Sequence, residues 1–193
     1  MKSTIERMQL LKEILLEPNF FVQKGLGNEL SFYIFDYDPK DELIVRQEMP
    51  NLLTFVGKNR SEIHFQVFDL YEIIVNFFEK RGYMEKNFIK EQKIGSEKII
   101  QKMQEGLKIA TERDEIIQYI KERIKPDAVL ILTGIGKSFP ILRSHTILNN
   151  LQSLLQDQSL IMFYPGKFEN NTLKLFDIYH DDNYYRAFRI VER

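Results

Sequence analysis

The spacing of apolar residues along the chain predicts helices that alternate with strands. Residues 4–16 carry apolar side chains at helical intervals with charges between them, which is typical of an amphipathic helix. Ser3 or Thr4 can cap the start of this helix, and Pro18 follows its end. Runs rich in aromatic and β-branched residues predict strands at 31–36, 63–70, 128–132 and 160–164, and shorter or edge strands at 173–178 and 185–191.

Prolines predict where two of these elements are interrupted. Residues 37–56 predict a turn followed by a helix, and Pro50 lies inside the apolar pattern of that helix. Because proline lacks the backbone N–H that a helix interior needs, we expect a kink or a break there. Pro165 and Gly166 follow the strand at 160–164, and we expect that strand to end at this pair.

A Lys- and Glu-rich stretch in the middle of the chain predicts a helical insertion. Residues 83–125 carry apolar side chains at helical intervals, so we expect two or three helices there, separated near Gly95 and Gly106. Lysines and acids occur in similar numbers along this stretch, which is typical of solvent-exposed helix faces.

Together the elements predict an α/β fold. Strands that alternate with helices favour a mostly parallel, Rossmann-like sheet with helices on both faces. A length of 193 residues fits one domain, so we expect residues 1–193 to form a single α/β domain with the helical insertion near 83–125.

The composition excludes several classes of protein. The chain has no cysteine, which rules out disulfides and thiolate metal sites and suits a reducing cytoplasm. Its formal net charge of −1 argues against a dedicated nucleic-acid binder. No apolar run approaches the ~20 residues that span a bilayer, and the first residues lack the apolar core of a signal peptide. We therefore expect a cytoplasmic protein without a membrane segment.

The stretch of densest polar chemistry is residues 133–151, directly behind the strand at 128–132. In open α/β sheets, ligands bind beyond the carboxyl ends of the strands, so Lys137 and Ser138 are candidate binding residues. Gly136, Lys137 and Ser138 resemble the end of a phosphate-binding P-loop, but Ile131 stands where that motif needs its first glycine. A tight glycine turn between strand and helix explains the pattern better.

Three further polar residues lie in the same stretch, where we expect a helix at about 141–155. His145 and Asn149 are four residues apart and share a helix face, whereas Arg143 points elsewhere. Histidine can act as an acid or base near neutral pH, with Arg143 and Lys137 as anion holders. No nucleophile or orienting acid accompanies them, so the sequence predicts binding residues and no catalytic ones.

Carboxylates at strand ends offer an alternative chemistry. Asp36 and Asp69 each end a predicted strand, and carboxylates at neighbouring strand ends can jointly hold Mg²⁺. Such residues also serve as turn formers and helix caps. A metal site at Asp36 and Asp69 is therefore an alternative to the main interpretation, which needs no metal and no cofactor.

The last predicted strand mixes aromatic and basic side chains. Tyr185, Arg186 and Arg189 are candidates for a protein interface or a phosphate contact, because interfaces are enriched in aromatic residues and arginine. His180, Asp181 and Asp182 could supply metal ligands, but three adjacent residues more simply form a turn. The loop Gly25–Asn28 offers backbone amides that could bind an anion, but a lone Gly-x-Gly pattern is weak evidence for such a site.

Four blocks of the sequence resemble the BrxB family, whose members are encoded in BREX bacteriophage-exclusion operons. The blocks are GLGNELSFYIFDYDPKDEL (25–43), LTGIGKSFPILRSHTILNNLQ (132–152), MFYPGKFENNTLKLF (162–176) and DDNYYRAF (181–188). The resemblance implies a cytoplasmic defence component encoded beside PglZ, a DNA methyltransferase and a large ATPase. It further implies action within a complex that contains a PglZ-like partner, and it supplies no catalytic residues.

Three functional hypotheses follow. The leading one is a non-catalytic adaptor that presents residues 133–145 and the C-terminal aromatic and arginine strand to a partner. The alternative is a nucleotide- or metal-binding domain with hydrolase or nuclease activity at the carboxyl ends of the strands. A third is weak nucleic-acid binding through Lys and Arg on one face, which would fall steeply with salt.

Overall fold

Helices and strands alternate along the chain, as the apolar pattern predicts. The structure is a computed structural model and describes residues 2–18, 20, 32–155, 158–181 and 183–193. The helices are α1 (Thr4–Leu16), α2 (Glu42–Asn59), α3 (Leu70–Lys80), α4 (Met84–Ile94), α5 (Ser96–Leu107), α6 (Glu115–Lys121), α7 (Ile135–Ser138) and α8 (Ser144–Leu154). The strands are β1 (Phe32–Tyr37), β2 (His64–Asp69), β3 (Ala128–Thr133), β4 (Leu160–Glu169), β5 (Thr172–Leu175), β6 (Tyr179–Asp181) and β7 (Phe188–Arg189).

The strands form a mostly parallel sheet in the order β2-β3-β4-β1-β7. β4 runs parallel to both β3 and β1, and β1 runs parallel to β7. The far half of β4 leaves this arrangement and pairs antiparallel with β5, which pairs antiparallel with β6. The predicted α/β class with a mostly parallel sheet is confirmed.

The residues group into two compact units. One unit comprises Met1–Val67, Lys125–Leu132 and Leu155–Arg193, and it contains most of the sheet together with α1 and α2. The other comprises Phe68–Ile124 and Thr133–Leu154, and it contains α3 to α8. The helical insertion is part of this second unit. Its three helices separate at Gly95 as expected, whereas Gly106 lies inside α5 and the second break follows Leu107.

The core of the sheet-bearing unit depends on the apolar face of α1. Ser3 caps this helix through a capping box with Glu6, which satisfies backbone N–H groups at the helix start. Met8, Leu11 and Leu15 lie on one helix face and are buried against side chains of α2 and the sheet. Of the helices that the structure describes, none combines the length and the apolar character needed to cross a membrane.

Of the kink or break predicted at Pro50, the break is absent, because α2 continues through this residue from Glu42 to Asn59. Pro50 removes the hydrogen bond that its N–H would make to the carbonyl of Arg46, four residues earlier. Both residues are exposed, so water can satisfy that carbonyl. Meanwhile the opposite side of the helix buries apolar side chains, including Leu52 and Val56, on the core.

The predicted end of β4 at Pro165 and Gly166 is also wrong. The strand runs on to Glu169, and the pair marks the point where its partner changes from β1 to β5. Gly166 has φ +153°, and a Cβ there would collide with the backbone carbonyl of Lys174. A glycine is required because only a residue without a side chain allows the two strands to approach this closely.

We expect Gly166→Ala to lower the free energy of unfolding by about 2 kcal/mol or more, since it combines backbone strain with a collision. Urea unfolding monitored by circular dichroism would measure this. Gly57→Ala is the matched control, because Gly57 lies inside α2 with open space around its Cα. That control should be neutral or stabilising by up to about 1 kcal/mol. Equal effects of the two substitutions would contradict the explanation.

Candidate functional site

The turn after β3 is held by an ion pair between Lys137 and Asp69. The Lys137 Nζ lies 2.7 Å from Asp69 Oδ2. The other oxygen, Asp69 Oδ1, accepts hydrogen bonds from the backbone N–H groups of Tyr71 at 3.0 Å and Glu72 at 3.2 Å, which caps the start of α3. Asp69 thus joins the first turn of α3 to α7.

The backbone of this turn requires a glycine, and the side chains of Lys137 and Ser138 bind other parts of the protein. Gly134 has φ +75°, and a Cβ on it would collide with the Asp69 carboxylate. Ser138 is 1% exposed, and its hydroxyl donates to the carbonyl of Gly134 at 2.8 Å. Lys137 and Ser138 therefore both have internal partners, and the geometry favours the glycine-turn interpretation.

The start of α8 presents the remaining polar residues of this stretch. The helix begins at Ser144, three residues later than predicted, so Arg143 directly precedes it and is exposed. His145 and Asn149 lie one turn apart within α8, which places them on one face as expected. Asn149 is exposed and His145 is half-buried.

The most strongly charged site lies in the sheet-bearing unit, around the fully buried Asp36 of β1. Asp36 Oδ1 lies 3.0 Å from a guanidinium nitrogen of Arg7 on α1. Its Oδ2 lies 3.1 Å from Arg189 on β7 and 3.3 Å from Arg193. The same oxygen accepts the backbone N–H of Phe168 in the antiparallel half of β4 at 3.1 Å. We call these four charged residues, Arg7, Asp36, Arg189 and Arg193, the Asp36 cluster.

The arginines of the Asp36 cluster also bind backbone carbonyls. Arg7 donates to Val191 at 2.8 Å and to Glu192 at 3.2 Å, and it also bonds the carbonyl of Asp36. Arg189 and Arg193 donate to carbonyls of β4. Burial lowers the pKa of Arg7, and the neighbouring Asp36 carboxylate opposes that shift. The cluster therefore ties the last residues of the chain to α1, β1 and β4.

This geometry changes the interpretation of both candidate metal ligands. Asp36 is surrounded by three guanidinium groups, and Asp69 is paired with Lys137. A divalent cation at either carboxylate would have to displace cations that the protein itself supplies. Within the described ranges, no three His, Asp or Glu side chains come together as a metal-binding group.

Sequence reasoning missed Arg7 and Arg193. A signal for Arg7 exists, because it falls three residues after Thr4 and four before Leu11, within the stripe that α1 buries. A charge in such a stripe needs a buried partner of opposite sign. Arg193 carries no comparable signal, since its position depends on how the end of the chain folds back.

The C-terminal segment alternates between inward and outward side chains. Tyr185 is 1% exposed, and its hydroxyl donates to Asp181 Oδ2 at 2.5 Å. Burial and this hydrogen bond raise the pKa of Tyr185. Arg189 points to Asp36, so two of the three interface candidates have internal roles, whereas Arg186 is exposed and stays a candidate.

The side chains that face outward here are mainly large and apolar. Ile178 is 69% exposed, Tyr179 49%, Tyr184 70% and Phe188 54%. Together with Arg186 they form what we call the C-terminal exposed segment. Single exposed apolar residues are ordinary, but four within eleven residues are typical of a region that another molecule covers.

Two candidate sites fall wholly or partly outside the described residues. The loop Gly25–Asn28 lies outside them, and so does Asp182. Asp181, its neighbour, accepts hydrogen bonds from Tyr185 and from the backbone N–H of Asn183 at 3.2 Å. Asp181 therefore serves the local turn, and His180 beside it is exposed on β6.

Comparisons with known proteins place this chain in a family. A family model described as "BREX protein BrxB" matches residues 66–190. A protein of Bacillus cereus (strain H3081.97) named "BREX protein BrxB" is 42% identical over 193 residues, covering all of both chains. A protein of Escherichia coli O9:H4 (strain HS) with the same name is 31% identical over 187 residues, covering 96% of this chain and 90% of that protein. No solved structure matches the chain.

We expect Asp36→Asn to lower the free energy of unfolding by about 3–5 kcal/mol, because it leaves buried guanidinium groups without their counter-charge. The amide has nearly the same shape and its oxygen can still accept the Phe168 N–H, so the substitution isolates the charge. Denaturant unfolding would measure it. Glu62→Gln is the control, because Glu62 pairs with Arg60 but is 63% exposed, and it should change stability little. Similar effects of both would contradict a central role for Asp36.

We expect Mg²⁺ and nucleotides to leave the melting temperature unchanged, because Lys137 and Asp69 neutralise each other. A ligand present at ~100 times its dissociation constant would stabilise the folded state by about 2.7 kcal/mol, which thermal melting detects readily. A stabilisation that disappears in Lys137→Gln would contradict this expectation and would support the nucleotide- or metal-binding alternative.

Proposed function

Because the chain belongs to the BrxB family, and its relatives are components of the BREX antiviral defence system, we propose that it acts there as a non-catalytic adaptor. The protein would bind another component of the system and hold it within a complex. Membership of the family places the chain among the BREX components. The adaptor role and the identity of the partner are the proposal.

The observation that carries this proposal is the C-terminal exposed segment. Protein interfaces are enriched in Tyr, Phe and Arg, and a few such side chains supply most of the binding energy. Tyr184, Arg186 and Phe188 face outward at alternating positions of one short segment. The inward residues between them, Tyr185 and Ala187, are buried, so the segment is anchored and its outward side chains need little ordering on binding.

The segment also includes β7, the last strand in the order β2-β3-β4-β1-β7. β7 follows Arg186 and contributes Phe188, whose ring lies 6.3 Å from that of Tyr33 on β1. The Tyr184 hydroxyl accepts a hydrogen bond from the side-chain amide of Asn171 at 2.9 Å. These contacts hold the two aromatic rings in defined positions while most of their surface stays exposed.

A PglZ-like protein is the partner that we propose first, with the ATPase and the methyltransferase of the same system as further candidates. We place PglZ first because the family resemblance implies that BrxB and PglZ proteins are encoded together. The start of α8 is a second candidate contact, through Arg143, His145 and Asn149. Direct binding of nucleic acid is not part of the proposal, because the net charge is −1.

The side chains considered for catalysis favour a binding role. Lys137 and Ser138 hold the turn after β3, and Asp36 and Asp69 are bound to basic side chains. A hydrolase needs a nucleophile or an activated water with groups free to move a proton. None of these four residues is placed for that task, which is why an adaptor describes the site best.

We expect the double substitution Tyr184→Ala/Phe188→Ala to weaken binding of a purified PglZ-like protein from the same system by about 30-fold or more. Such a loss corresponds to ~2 kcal/mol, the typical effect of removing an interface hot spot. Biolayer interferometry with the immobilised partner would give the dissociation constants. Thermal melting should show that the variant remains folded.

The matched control is Tyr83→Ala/Phe88→Ala, which removes the same two residue types from exposed positions, 45% and 59% exposed, in the other unit. This control should bind like the original chain. Failure of the unaltered chain to bind the PglZ-like protein, the ATPase and the methyltransferase would refute the adaptor role. Equal losses in the two double variants would refute the C-terminal exposed segment as the binding surface.

A further inference from the structure

Three basic side chains lie in register across the antiparallel part of the sheet. Lys167 on β4 is directly opposite Lys174 on β5, and Lys174 is directly opposite His180 on β6. Residues that face each other across antiparallel strands project on the same side of a sheet. The three therefore form one line across three strands, which we call the basic row.

This arrangement is unfavourable for the isolated protein. Side chains directly opposite each other have Cβ atoms about 4.5–5.5 Å apart, and like charges in such positions are destabilising. Among the described residues, no carboxylate forms an ion pair with any member of the basic row. Glu169 projects from the same side of β4, two residues from Lys167, but it is exposed and faces Thr172.

The other side of these strands explains why the row is presented outward. Phe168, Leu173 and Leu175 alternate with the basic residues and are buried, so the opposite side is packed against protein. Lys167 and Lys174 are half-buried at the base, and His180 on the outermost strand β6 is exposed. The sheet thus holds the three positions of the row on a rigid base.

We propose that the basic row binds acidic side chains of a protein partner. This inference rests on the adaptor function and names the chemistry of the partner's contact, which the C-terminal exposed segment does not. Carboxylates laid along the row would relieve the repulsion within it and would form ion pairs with Lys167 and Lys174. The exposed apolar side chain of Ile178, two residues before His180 and directly before β6, would then contact the same partner, whereas Tyr179 is opposite Leu175 and projects from the other side of the sheet.

The geometry matches a short acidic segment. Strands lie about 4.8 Å apart, so the row spans about 10 Å. An extended segment crossing the strands repeats side chains on one face about every 6.6 Å, and a helix brings residues four apart to about 6 Å. Two carboxylates in either arrangement fit between the three basic groups.

A protein partner agrees with the surroundings of the row better than nucleic acid does. Nucleic-acid affinity comes from many phosphate contacts, typically six or more, whereas this row offers three basic groups in a chain of net charge −1. Interfaces between proteins instead combine an apolar contact with a charged rim. Ile178, 69% exposed and two residues before His180, provides an apolar side chain next to the end of the row.

Titrating the isotopically labelled full chain with a ten-residue peptide of alternating Glu and Thr would test the proposal by NMR. We expect amide shifts concentrated in residues 166–181, weaker at higher salt because the contacts are exposed ion pairs. Lys167→Gln/Lys174→Gln should weaken binding about five- to tenfold, as expected for two such contacts. The control Lys40→Gln/Lys58→Gln, which removes two exposed lysines of the same unit, should bind like the original chain.

Two results would overturn the proposal. Equal peptide binding by the basic-row variant and the control variant would mean that the row binds no acidic partner. Its charges would then serve only to prevent strands of other molecules from pairing with the edge of the sheet. Tighter binding of a twenty-nucleotide thymidine oligonucleotide than of the acidic peptide, with shifts at the same residues, would make nucleic acid the occupant.

The experiments distinguish a failure of the adaptor function from a failure of the basic-row proposal. If the peptide binds at the row but the purified PglZ-like protein, ATPase and methyltransferase do not bind the chain, the adaptor function is refuted and the basic row stands. If the PglZ-like protein binds the basic-row variant and the original chain equally, the adaptor function stands and this proposal is refuted.

Discussion

The structure of the sheet-bearing unit depends on one buried carboxylate. Removing an ionised group from water costs far more than a single hydrogen bond returns, so a fully buried Asp36 requires compensation from its surroundings. Three arginines and a backbone N–H supply it, and they come from three separate parts of the chain: α1, β4 and residues 189–193. The requirement therefore acts as a constraint on topology. α1, β1, the second half of β4 and residues 189–193 all have to meet at the same point.

That constraint separates supporting residues from exposed ones in the C-terminal segment. Arg189 is directed inward to Asp36, and Tyr185 is directed inward to Asp181, so the residues at the alternate positions face outward. The outward residues, Tyr184, Arg186 and Phe188, have a composition typical of a protein interface. The inward residues Tyr185 and Arg189 instead hold the segment in place. The proposed binding surface is thus a direct consequence of how the chain end is anchored.

Local signals predicted most elements of the fold correctly, and the errors have specific physical causes. The start of α1 was predictable because Ser3 and Glu6 form a capping box, an interaction within four residues. The break considered at Pro50 and the strand end predicted at Pro165–Gly166 do not occur, because tertiary packing keeps α2 continuous and β4 changes its strand partner at the glycine. In the candidate site, the sequence singled out Asp36, Asp69, Lys137 and Arg189 as residues that could bind a ligand, a metal or a partner. In the structure these residues instead form ion pairs within the protein, Lys137 with Asp69 and Arg189 with Asp36.

The sequence by itself determined the class of the fold, the positions of most helices and strands, and the family, because these depend on periodicity and on blocks of similar residues. It could not determine which polar side chains form their interactions within the protein itself. That decision rests on contacts between residues far apart in the chain, such as Arg7 with Asp36, Lys137 with Asp69, and Arg189 with Asp36. Only the tertiary structure brings these groups within the few ångströms over which charges and hydrogen bonds act, and so only it decides which residues remain for a partner.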